Sequence, residues 1–127
     1  MTPENLKLLN ALAYPGRCWH DVTYDSPDGH VQCKCSCGKI WALYSPQGLK
    51  HFNPTFTTEK EMIDVMKGLQ RERLWNSFIL SAKRSYPKHK ITVVDAEFIL
   101  WLFSDVNRFM QLVCECEKVK EWWEVRK

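Results

Sequence analysis

The apolar positions change period twice along the chain. Leu6, Leu9 and Ala13 recur at helical spacing behind Thr2 and Pro3, an N-cap followed by a first-turn proline, and Pro15-Gly16 closes the run. From Arg17 to Tyr24 the period drops to two, with Cys18, His20, Val22 and Tyr24 alternating against Trp19, Asp21 and Thr23. Turn chemistry at Ser26-Pro27-Asp28-Gly29 predicts a return into a second strand from His30 to Cys37. A third strand is expected from Lys39 to Tyr44, with a turn at Ser45-Pro-Gln-Gly48 leading to His51. A four-residue loop would pair Asp25 with His30, setting Val22 opposite Cys33, His20 opposite Cys35 and Cys18 opposite Cys37.

From Thr58 onward the period is helical. Thr58-Glu-Lys-Glu61 matches a capping box, and Met62, Ile63, Met66 and Leu69 share a face behind it. Gly68 is expected to bend or divide this run. A second helical stretch from about Leu69 to Ser85 carries Trp75, Phe78, Ile79 and Ala82 and stops before Pro87. Asp95 is placed to cap a short helix through Phe103, and Ser104 or Asp105 to start a last one. On that final helix Val106, Phe109, Met110, Leu112, Val113, Cys116, Val119 and Trp123 form one broad arc, leaving Cys114 on the surface and Trp122 exposed opposite. The fold expected is α+β: a small zinc-clipped antiparallel sheet from residues 17 to 44, followed by a helical C-terminal half that packs against it.

At 127 residues the chain has the size of one domain, read here as 1–127 with a short helix plus a zinc-binding hairpin region over 1–57 and a helical region over 58–127. A hydrophobic share of 45% argues against disorder, and a net charge of +3 lacks the strong basicity of dedicated nucleic-acid binders. The N-terminal residues show no basic-then-apolar leader, and the longest apolar run, Phe98 to Phe103, is too short to span a bilayer. A cytoplasmic protein with no membrane contact is expected, and in a reducing compartment clustered cysteines read as metal ligands before disulfides.

Zinc takes four ligands in a tetrahedron, and thiolates with neutral imidazoles suit it. Cys35-x-Cys37, with Gly38 bending the backbone behind the second sulfur, supplies two, and His51 returns as a third. The fourth position falls to His20 or Cys18, with Cys33 and His30 behind them. Catalytic zinc keeps a water and a nearby carboxylate base, whereas the one adjacent acid, Asp21, belongs to the other face of its strand, so a structural ion is expected. The competing reading makes Cys18 and Cys33 buried core residues and His20 a satisfied strand histidine.

Trp19-His20, Cys35-Ser-Cys-Gly38 and His51-Phe-Asn-Pro-Thr-Phe-Thr57 together resemble a pattern in small proteins of tailed bacteriophages and environmental viral sequences. There a C-x-C-G is followed by H-x-N-P-x-F-[ST] and an amphipathic helix. The resemblance spans residues 19 to about 70 and implies a phage origin and a zinc site at Cys35, Cys37 and His51 plus His20 or Cys18. It implies no activity. Cys33 is an addition to the pattern.

Lys83-Arg-Ser-Tyr-Pro-Lys-His-Lys90 gathers Lys83, Arg84, Lys88 and Lys90 within eight positions and suits phosphate or an acidic surface, or simply a solvated loop. Trp122 is the other partner-binding candidate, because aromatics are enriched at interfaces. No phosphate-cradling glycine loop, HExxH, G-x-S-x-G or evident carboxylate pair occurs. The function expected is therefore non-enzymatic: a phage-encoded, zinc-stabilised protein that inhibits a host enzyme or defence complex by protein contact. The alternatives are a nucleic-acid-binding zinc protein and a protein that sequesters a small molecule in an apolar pocket.

Overall fold

The structure, a computed structural model, describes residues 1–19, 22–25, 32–35, 40–42, 53–87 and 96–127, the strand residues by their backbone. It divides into two compact units, one of residues 1–15 and 55–127 and one of residues 16–54.

Among its described residues the first unit has six helices: α1 (Pro3–Ala13), α2 (Glu59–Arg71), α3 (Trp75–Ser85), α4 (Ala96–Phe103), α5 (Val106–Glu115) and α6 (Glu117–Arg126). Three of them start where short side chains satisfy orphan backbone N–H groups. The Thr2 hydroxyl accepts from Asn5 N at 3.2 Å, and Asp105 accepts from Arg108 N at 3.1 Å. Thr58 and Glu61 form the full capping box. Glu61 also accepts from the backbone N–H groups of Phe56, Thr57 and Thr58, which gathers the segment before α2 onto one carboxylate.

α5 is the centre of this unit, touching each of the other five helices, and it buries Phe109, Met110, Leu112, Val113 and Cys114. Around it the apolar faces interlock as aromatic pairs. Phe78 of α3 meets Phe109 edge-on at 5.2 Å, Phe103 of α4 stacks on Phe109 at 5.6 Å, and Tyr86 stands edge-on to Phe98 and Trp101. Each such pair adds about 0.5–1.5 kcal/mol beyond its buried area. α1 lies against α2 and α5, tied by the Tyr14 hydroxyl donating to Asp64 at 2.7 Å and by the Arg71 guanidinium donating to the Leu12 carbonyl.

In the second unit three short strands, β1 (Val22–Asp25), β2 (Gln32–Cys35) and β3 (Ile40–Ala42), pair antiparallel in the order β1-β2-β3. Tyr24 pairs with Cys33 and Val22 with Cys35, while Cys33 also pairs with Trp41. The expected register is thus off by two residues, since Asp25 pairs with Gln32 instead of His30. A shift of two leaves Cys33 and Cys35 paired with members of the same alternating set; a shift of one would have reversed it.

Larger corrections concern the helices. The expected α+β domain, with helices packed on a sheet, is overturned: among the described residues the unit that carries the core is all-helical, with no strand in it, and its helices bury their apolar faces on one another around α5. A helical stripe states that a face must be covered and leaves open by what. Gly68 does not divide α2, which runs unbroken from Glu59 to Arg71. The division comes at Arg73, which takes φ +58° as the residue after the helix cap, with Leu74 N–H donating to the Leu69 carbonyl and Arg73 N–H to that of Gln70. This is a Schellman end built on arginine where glycine is usual. The expected single last helix is also two, because Cys116 leaves the helical region with ψ 122° between α5 and α6.

Candidate functional site

The chemistry-bearing residues of the sequence concentrate in the unit of residues 16–54, which holds four of the six cysteines and three of the four histidines. Of the expected zinc ligands, Cys33 and Cys35 lie on β2, the middle strand, Cys33 paired with Tyr24 and Trp41 on its two sides and Cys35 with Val22 of β1. Cys18 sits two residues past Gly16, whose φ of +81° turns the chain out of α1, and its half-buried thiol donates to the Trp19 carbonyl at 3.4 Å. Cys37, His20 and His51 lie outside the described residues, as do Lys88 and Lys90. Among the described residues no three His, Cys, Asp or Glu side chains come together as a metal site.

The segment Asn53 to Thr57, the end of the H-x-N-P-x-F-[ST] run, has a describable role. Phe56 is 1% exposed and holds φ +55°, a conformation an aromatic residue adopts at a cost of about 1 kcal/mol or more. Burial of its ring, 6.3 Å from that of Tyr14, and the bond from its N–H to Glu61 offset that cost. The capping box pointed to Glu61; no local signal pointed to Phe56.

The partner-binding candidates fare unequally. Lys83 and Arg84 occupy the last turn of α3, the first half-buried and the second exposed. Trp122 is half-buried rather than exposed. Its indole N–H donates to Glu72 at 3.3 Å, and the Arg126 guanidinium lies 4.3 Å above its ring while bonding its carbonyl. Trp123 makes a parallel attachment, donating to Glu4 at 2.7 Å. The reason is the break at Cys116, which re-aims α6 so that a wheel continued from α5 misplaces both indoles.

Cys114 corrects the same wheel. It is 3% exposed, not on the surface, and its sulfur faces the Asn5 carbonyl at 3.9 Å. Burial pushes its thiol up to about 12, with the charge of Glu115 adding to the effect. A thiol held protonated is a poor nucleophile and a poor ligand. Cys116 is core, as expected.

A cavity of about 390 Å³ lies between the start of α1 and α5, lined by Met1, Thr2, Asn5, Asn107, Gln111 and Glu115. Its lining is polar where the small-molecule alternative calls for apolar walls with a few convergent polar groups. No helix of the described residues is long and apolar enough to cross a membrane. No protein-family model, no curated protein and no solved structure matches the chain.

Proposed function

We propose that this protein is a non-enzymatic binding protein of phage origin, stabilised by one structural zinc ion, that inhibits a host protein by direct contact. The observation that carries the zinc is one of size. A compact unit of about 40 residues is at the limit below which disulfides, a metal or oligomerisation are usually needed for stability. This unit contains Cys18, Cys33, Cys35, Cys37, His20 and His51. Cys35, Cys37, His51 and His20 would hold the ion, which would supply a cross-link between strands and loop, and Cys18 and Cys33 are the alternatives at the fourth position.

The protein-contact reading follows from the phage-like pattern together with the lack of recognisable catalytic motifs. Metal analysis of the purified chain tests the first part: one zinc per chain is expected, lost with stability in Cys35→Ser and His51→Ala. A full-length chain that folds equally well without metal sinks it. Affinity capture from host lysate tests the second part, which fails if no protein is retained.

A further inference from the structure

We propose that the outward face of α3 around Leu80, Lys83 and Arg84 is a docking surface for an acidic amphipathic segment of a partner protein. This rests on the protein-contact reading above and gives the partner's chemistry. Leu80 is 62% exposed in mid-helix, while Phe78 and Ala82 of the same helix are fully buried. Lys83 and Arg84 stand three and four residues further on, the spacing that puts side chains beside Leu80 on one face. Among the described residues neither cation has a side-chain hydrogen bond or ion pair, whereas the guanidinium groups of Arg71, Arg108 and Arg126 are each engaged with a carboxylate and with a backbone carbonyl. No aspartate or glutamate occurs from residue 73 to residue 94, a stretch with five Lys and Arg.

The helix dipole favours cations in a last turn, which accounts for their position and not for the bare leucine beside them. An apolar centre with a cationic flank, in a stretch of chain without an acid, selects an occupant that offers apolar side chains edged with carboxylates. A phosphate backbone would satisfy the cations and leave Leu80 without a counterpart.

The test titrates the full-length protein with three probes, reading backbone amide shifts. They are a synthetic helical peptide of about 15 residues with leucines at three- and four-residue spacing between glutamates, the same peptide with lysines for glutamates, and a single-stranded oligonucleotide. Saturable shifts clustered on α3 with the acidic peptide are expected, with binding weakened at least tenfold in Leu80→Lys and in Lys83→Glu/Arg84→Glu. Val125→Lys on α6, which replaces a residue 83% exposed, should leave binding unchanged. Equal binding of both peptides, no binding of the acidic one, tighter binding of the oligonucleotide, or self-association through Leu80 overturns the proposal. A host protein captured equally well by the Leu80→Lys and wild-type chains overturns this surface and leaves the protein-contact reading standing; capture of none overturns both.

Discussion

Gly68 of α2 and Leu12 of α1 touch backbone to backbone. A Cβ added at Gly68 would come within 2.6 Å of the Leu12 carbonyl carbon and closer still to its oxygen, so the two helices cross at a spacing only glycine permits. On an open helix surface Gly→Ala stabilises by about 1 kcal/mol. Here Gly68→Ala is expected to destabilise by about 1–3 kcal/mol, since neither backbone can give way cheaply. Urea denaturation decides by sign, and a more stable variant would refute the close crossing.

Arg73 presents the opposite case. Its φ of +58° is tolerated for the Schellman end it makes, and its side chain is exposed. Arg73→Gly should raise stability by about 0.5–1 kcal/mol, while Arg73→Ala, which keeps the left-handed strain, should not. Thermal melts of the two variants side by side separate backbone relief from side-chain loss.

Cys114 makes stability fall in alkali. Its folded-state thiol is pushed up to about 12 from 9.0 by burial and by Glu115, so above pH 9 the unfolded chain loses a proton that the folded chain keeps. The unfolded state then gains by up to about 1.4 kcal/mol for each pH unit between 9 and 12, and below pH 9 this thiol has no effect. Cys114→Ala should flatten the decline of the urea midpoint over that window and leave the slope below it unchanged. An identical slope in both proteins would show that the thiol titrates normally.

The fourth zinc position separates by substitution. With His20 as ligand, Cys18→Ser and Cys33→Ser retain one zinc per chain and His20→Ala loses it. Retention in His20→Ala with loss in Cys18→Ser would move the position to Cys18.

What could be read from the sequence depended on how far each cause reaches. The caps at Thr2, Thr58 and Asp105 were legible because donor and acceptor lie three residues apart, and the stop before Pro87 because proline acts on its neighbour. Alternation along residues 17–24 marked the hairpin, but the register depends on loop length, which the turn residues alone did not determine. The breaks at Arg73 and Cys116 were illegible. Neither residue type interrupts a helix by itself, and the left-handed turn at Arg73 and the extended one at Cys116 leave no mark in the residue names. The surface placement of Cys114 and the exposure of Trp122 failed for the same reason: one wheel was drawn through two helices, and around a helix contacted by all the others. For the proposed zinc site, residue chemistry named the candidate ligands and put Cys33 and His30 behind the others, but did not decide between His20 and Cys18 for the last place.

The contact between the Tyr14 and Phe56 rings has a topological consequence. These residues flank the unit of residues 16–54 on either side, so the chain departs from the helical body and rejoins it at nearly one point. To that body the whole cysteine-bearing stretch is an insertion in the joint between α1 and α2. A bridge of about four residues would span the same gap, leaving the helical body a closed chain of its own and making the inserted stretch a passenger that can be exchanged without redesigning its carrier.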